Sequence, residues 1–373
     1  MYRPSLKSGV SLLILFLLSI ILFIIAQSSH KMIMADYYDE KVEAAKLMSD
    51  YLQTIRTELA KQNFTFDPID DPLKTGLIGI KLSSITTSKG FLSEKQTALN
   101  PNLAAVFVQM LHNAKVKPGD YVAVGLTGSN PGTNLALYAA LSVMKVKPVI
   151  ITALSSSSYG ANREILTWLD IEHILMNNQL LTFSSSYASL GGKDDMAIGV
   201  SDTGIQAMRE AMSRNKVPLL LGNSLQENIE LRMKAYQEML PTGKRYRLFV
   251  NIGGGLANAG SERNANLIPE GVTRKLAEME FEQPGVVMLF ARKNVPILHI
   301  MKTLRLAKRN DLPIAPDKLP KPGTGTVFSS RIHNVVIASI CLFLLLAAII
   351  TVIIFDRHDR HFMQNLVDID EEL

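Results

Sequence analysis

The chain has 373 residues, 39 Lys and Arg against 34 Asp and Glu, a net charge of +5, and 47% hydrophobic residues. This basic excess is mild and has no long runs, which argues against nucleic acid as a partner while leaving an anionic ligand open. The only cysteine is Cys341, so no disulfide can form within the chain and a packed core must hold it together.

Two apolar segments bracket the chain. Gly9 to Ala26 and Val335 to Phe355 contain no charged residue, and each falls within the roughly 17–25 residues that cross a hydrocarbon layer. Core helices of soluble proteins this long usually keep a polar stripe, so both are expected to be transmembrane. The first exceeds the ~7–15 apolar residues of a cleavable signal and reads as an uncleaved anchor. Positive residues near a span stay in the cytoplasm. Arg3, Lys7 and the α-amino group outweigh Lys31 with Asp36, Asp39 and Glu40, while Arg357 and Arg360 outweigh Arg331. The expectation is a two-pass protein of the cell membrane with both termini cytoplasmic and the central domain extracytoplasmic. The lipid bilayer is thus its first partner. Residues 1–8 and 356–373 are the tails, 9–26 and 335–355 the spans, 27–72 an amphipathic helix and linker, 73–310 the domain, and 311–334 a Pro-rich tether.

In the first linker, Met48, Leu52, Ile55 and Leu59 recur at spacings of four, three and four, which predicts an amphipathic helix over 36–62. It packs on the domain or forms a dimerising stalk. Asp67-Pro68 and Asp71-Pro72 end it. Asn100 with Pro101 opens a helix through LAAVFVQMLHNA. YVAVGL then reads as a strand, LALYAALSVMK as a helix, PVIITAL as a strand and REILTWLD as a helix. MAIGVS, VPLLL, YRLFVNI and VVMLF are further short apolar runs bounded by turn residues. Strands alternating with helices predict an α/β domain with a doubly wound, mostly parallel sheet.

Ligands of such sheets bind beyond the carboxyl ends of the strands, and four predicted loops there are small and polar. The first holds Thr127, Gly128, Ser129, Asn130 and Asn134, and it opens a helix whose free N–H groups suit an anion. The second begins with Ser155 and Ser156, the third contains Asn223 and Ser224. The fourth runs through Asn251, Gly253, Gly254, Gly255, Asn258 and Ser261, with glycines that let a ligand approach the backbone. Tight strand-to-helix turns use the same residues, so each loop alone is weak evidence. Ser129, Ser224 and Ser261 are placed where a nucleophile could stand, yet no base accompanies them. The histidines His112, His173 and His299 show no metal-ligand spacing, and Asp194, Asp195 and Asp202, flanking the expected strand MAIGVS, could supply a carboxylate pair but read rather as solvated turn residues. GxxxxGK[ST] is absent, and the glycine triplet departs from GxGxxG at Asn258. No cofactor or metal is expected, and no catalytic motif is identifiable.

NIGGGLANAGS, PGVVMLFARKNVPILHIMKTLRLAKRNDLPIAP and GLTGSNPGTNLA, together with one apolar span at each end, resemble the poly-γ-glutamate system protein family over nearly the whole chain. The resemblance implies an accessory membrane component of poly-γ-glutamate synthesis or export, a capsule or exopolymer pathway of the cell envelope. Its partners would be the membrane subunits of that machinery and the anionic polymer. It carries no catalytic residues over, and the ATP-using ligase of such systems is a separate cytoplasmic protein. An extracytoplasmic hydrolase or transferase that trims, releases or attaches the polymer is the alternative. A cytoplasmic ligand-binding domain would follow from a reversed topology.

Overall fold

A computed structural model describes residues 8–277, 281 and 283–370, with 358–370 described by their backbone alone. Arg3, Lys7 and the side chain of Arg360, used above to orient the spans, lie outside what is described. The chain divides into two compact units, one made of the residues up to Met34 with those from Ser329 onward, the other Ala35–Phe328.

In the first unit, Gly9–Ser28 and Val335–Asp370 are helices that pack on each other. Gly9–Ser28 and Val335–Arg357 are long and apolar enough to cross a membrane. Ser8 caps the first, its Oγ accepting from the Ser11 N–H at 3.5 Å. Strands His30–Met34 and Ser329–His333 pair antiparallel, His30 opposite His333, so the chain leaves and returns side by side. The C-terminal helix continues past Phe355 through the polar residues of the expected tail.

The second unit is mixed α/β. Its six-stranded sheet comprises β1 (Tyr121–Thr127), β2 (Lys147–Ala153), β3 (Tyr187–Ser189), β4 (Tyr246–Ile252), β5 (Gly271–Thr273) and β6 (Ile297–Ile300). The spatial order is β5-β6-β4-β1-β2-β3, parallel throughout except for the edge strand β5. YVAVGL, PVIITAL and YRLFVNI therefore share one sheet and one direction. Alternate residues feed two cores. Val122, Val124, Leu248 and Val250 enter one, where α1 (Tyr38–Lys61), α2 (Leu103–Asn113), α3 (Pro131–Val143), α4 (Trp168–Asn177) and α5 (Asp202–Arg214) pack. Ala123, Phe249 and Ile297 enter the other, beneath α6 (Leu225–Glu238) and α7 (Val286–Arg292).

The amphipathic helix belongs to this domain. Met48, Leu52, Ile55 and Leu59 of α1 are all buried in the larger core. At ~1.5–3 kcal/mol for each such side chain, their burial is comparable to the whole net stability of a domain, about 5–15 kcal/mol. A free stalk would forgo it.

Residues 311–328 form no helix or strand, but they are fastened rather than a loose tether. Asn102 Nδ2 donates to the carbonyls of Lys321 and Thr324 at 3.0 and 3.2 Å, Gly323 N–H donates back to Asn102 Oδ1 at 3.1 Å, and Phe328 is buried against Ala45 and Ala105.

Several short runs fold differently from expectation. VVMLF is helical, within α7, because a short apolar run without periodicity suits a buried helix as well as a strand. VPLLL contributes one isolated bridge, Leu219 to Ala188. MAIGVS makes only two isolated bridges, Met196 to Gly191 and Ile198 to Lys193, with turns between them, since Ala197 and Gly199 have φ of 55° and 87°. The strands YAS and ILHI stand in the sheet instead.

Candidate functional site

The connections from β1 run outward through β2 to β3, then return across β1 to β4 on its other side. Loops after β1 and β4 therefore diverge and leave a crevice at the carboxyl ends of the strands, where open sheets bind ligands. A cleft of about 270 Å³ lies there. Thr127, Ser129, Ser155, Gly254 and Gly255 line it, so the first, second and fourth loops share one rim. Thr87, Ser88, Gly192, Lys193 and Glu262 complete it, along with Ala153 and Leu256.

The remaining candidates do other work. Asn134 Nδ2 donates to the Thr127 carbonyl at 3.0 Å, and Ser156 Oγ donates to the Gly128 carbonyl at 3.1 Å; both side chains are buried. Gly128 N–H is taken by the Ala153 carbonyl at 3.0 Å. Asn130 accepts from Lys95 Nζ at 2.8 Å, inside the protein, where burial lowers the lysine pKa to about 8. The start of α3 is buried from Pro131 to Asn134, with Ala98 O only 2.6 Å from where a Gly132 Cβ would stand. That helix N-terminus is packed against protein instead of opening on the cleft. Ser224 and Ser261 are helix caps, accepting from the N–H groups of Glu227 and Asn264 at 3.2 and 3.1 Å. Asn223 bonds to Glu227 at the surface. The third loop lies apart from the cleft.

Ser129 Oγ accepts from the Ser157 N–H at 3.0 Å, and Ser155 Oγ accepts from Thr87 Oγ1 at 3.2 Å. Neither pairs with a histidine or carboxylate among the described residues, so neither is arranged as an activated nucleophile. Thr127 differs. It is 5% exposed, and its hydroxyl is buried without a hydrogen-bond partner among the described residues. An orphaned hydroxyl costs about 1–3 kcal/mol, which a ligand atom at this position would recover.

Under the cleft runs a buried polar chain that the sequence did not reveal. Asn251 Nδ2 donates to the Gly253 carbonyl at 3.0 Å and meets His299 Nδ1 at 2.9 Å. A carbonyl can only accept, so the amide nitrogen faces both groups and His299 Nδ1 is the acceptor. The imidazole proton then sits on Nε2, 3.0 Å from the Ala265 carbonyl. Burial holds the His299 pKa below its ordinary value, consistent with a neutral ring. From the other end, Arg232 Nη1 approaches Asn258 Oδ1 at 3.4 Å, and Asn258 Nδ2 donates to Asn251 Oδ1 at 2.9 Å. Arginine only donates, so both ends fix the same orientation of the two amides. Gly125 leaves room for this, since a Cβ there would stand 2.8 Å from Asn258 Cγ.

Arg232 also grips Asp195, and its Nη2 donates to Ser189 Oγ at 2.6 Å. Asp195 is therefore a buried ion-pair partner and not a solvated turn residue. It anchors a run of left-handed backbone, with φ of 76°, 69°, 55° and 60° at Gly191, Gly192, Asp194 and Asp195, which carries Gly192 and Lys193 to the cleft wall. The sequence GGKDD did hold a signal, because glycine and aspartate are the residues that tolerate this conformation. Among the described residues no group of His, Cys, Asp and Glu could hold a metal ion.

Compared with known proteins, the chain matches no family model, no curated protein and no solved structure.

Proposed function

We propose that this chain is a membrane-anchored binding protein whose cleft takes a carboxylate-bearing ligand, as an accessory component of poly-γ-glutamate synthesis or export. The observation that carries the binding reading is the unpartnered Thr127 hydroxyl in a cleft that also has Lys193 on its wall. A carboxylate accepts from both a hydroxyl and an ammonium, and such charge-assisted bonds contribute about 1.5–3 kcal/mol each when shielded. Gly254 and Gly255 let the polymer backbone lie close. The pathway rests on the motif resemblance and on the layout of one apolar helix at each end.

The finer architecture belongs to the same proposal: a doubly wound domain, two membrane spans, both termini cytoplasmic and the domain extracytoplasmic. Antiparallel pairing of His30–Met34 with Ser329–His333 supports termini on one side of the bilayer, and the flanking positive charge supports the cytoplasmic side.

The test is equilibrium binding of γ-linked glutamate oligomers to the full chain in phosphatidylcholine nanodiscs. Lys193→Glu and Thr127→Val should each weaken binding about tenfold, the scale of one such contact. Unchanged affinity in both variants overturns the cleft assignment. Polymer yield from cells carrying Lys193→Glu tests the pathway, and a reporter fused after Leu373 tests the topology.

A further inference from the structure

At the opposite end of the sheet, a second cavity of about 350 Å³ opens at the amino-terminal ends of β4 and β6. Its floor is apolar. Tyr246 and Phe290 are 8% and 3% exposed, their rings meeting edge to face, and Leu240 and Val295 extend the lining. Its rim is basic, with Lys244, Arg245 and Lys293 exposed and Arg247 half-buried. No carboxylate stands among the described residues that line it.

Helix ends offer one structural reason for such a rim. The last turns of α6 and α7 contribute Tyr236 and Phe290 to the cavity, and each helix C-terminus carries about −0.5 charge. Two ends together offset about one of the four positive charges, leaving an excess of about three. Among the described residues Arg247 commits only its Nε, which donates to the Lys115 carbonyl at 3.1 Å. The other guanidinium nitrogens and the whole of Arg245 remain able to grip oxygens in pairs. The volume falls at the lower end of small-ligand pockets, roughly 300–1,000 Å³.

We propose that this cavity binds an organic phosphate ester, with the phosphate on the Lys244, Arg245 and Lys293 rim and an apolar body against Tyr246 and Phe290. The proposal needs both halves of the ligand. A bare phosphate leaves the apolar floor in contact with water, and an uncharged body leaves three cations repelling one another around the opening. The site is separate from the cleft, and its argument is independent of the proposed carboxylate ligand.

The experiment titrates the full chain, in phosphatidylcholine nanodiscs, with phenyl phosphate, inorganic phosphate and phenyl glucoside. Phenyl phosphate should bind at least tenfold more tightly than either of the others. Lys244→Glu combined with Lys293→Glu, both at exposed positions, should weaken it at least tenfold with the circular dichroism spectrum unchanged. Thr127→Val, at the other end of the sheet, should leave it unaltered. Equal affinity for phenyl phosphate and inorganic phosphate, no measurable binding, or indifference to the charge reversal overturns the proposal. Competition with soluble dihexanoyl phosphatidylglycerol then assigns the source. Displacement identifies a lipid headgroup and failure to displace identifies a soluble ester, and either supports the site.

Discussion

Arg232 closes on both carboxylate oxygens of Asp195 at 2.9–3.1 Å, with each side chain only 1% exposed. The two residues lie 37 positions apart in the chain, on α6 and on the left-handed turn that delivers Lys193 to the cleft. Taking both charges out of water is costly, so the pair holds geometry more than it adds stability. Removing one partner is a different matter. Asp195→Asn leaves the guanidinium buried and unpaired, and should cost about 3–5 kcal/mol. The double variant Asp195→Leu with Arg232→Met should unfold at higher urea than Asp195→Asn alone. Urea midpoints of the full chain check this, and an unchanged midpoint for Asp195→Asn would refute the clamp.

Two neighbouring glycines should respond differently. Gly253 has φ of 89°, and a Cβ there would stand 2.5 Å from Thr127 Oγ1. Gly253→Ala is expected to destabilise the fold by about 1–3 kcal/mol, from left-handed strain and overpacking. At Gly254 the nearest obstacle is the flexible Met301 Cε at 3.1 Å. Gly254→Val should therefore fold and lose ligand binding by intruding on the cleft. Thermal unfolding beside oligomer binding separates the two effects.

Glu172 is buried on the inner face of α4, accepting from the Tyr138 hydroxyl of α3, from Trp168 Nε1 at 3.0 Å and from Ser185 Oγ at 2.9 Å. Burial raises its pKa from 4.5 to about 7. A carboxyl with a higher pKa in the folded state binds its proton more tightly there. Its contribution to stability is therefore full below pH 4.5 and is lost as pH rises to about 7. Glu172→Gln should flatten stability across that window, because the amide oxygen keeps the three side-chain donors. Urea unfolding of both proteins at several pH values measures the slope.

His299 carries the opposite sign. Its pKa is lowered from 6.5 by burial, so below that value the unfolded chain takes up a proton that the folded chain resists, and stability falls as pH drops. Nitrogen-15 shifts should report a neutral ring protonated on Nε2 at about pH 6, below the ordinary histidine pKa. A doubly protonated ring would break the hydrogen bond from Asn251, and its detection would refute the proposed orientation of the amide chain.

Periodic and compositional features were legible without a structure. Met48, Leu52, Ile55 and Leu59 marked α1 because helical spacing is a local property. Tyr121, Pro148 and Tyr246 began runs long and apolar enough to be central strands, and the two charge-free segments are helices long and apolar enough to cross a membrane. VVMLF and MAIGVS went astray because a run that short has no period to distinguish helix, strand or turn. The glycine-rich loops pointed to the carboxyl ends of the strands, and five of the fifteen candidate residues line the cleft there. Which loops meet was decided by strand order, since the return from β3 to β4 across β1 is what opens the crevice. Asp195, Arg232 and His299 come from segments remote from the loop of Asn251 and Asn258, and no motif in the sequence ties the five together. Folding alone excluded water from them, and the cost of leaving a buried donor or acceptor unpaired made them partners.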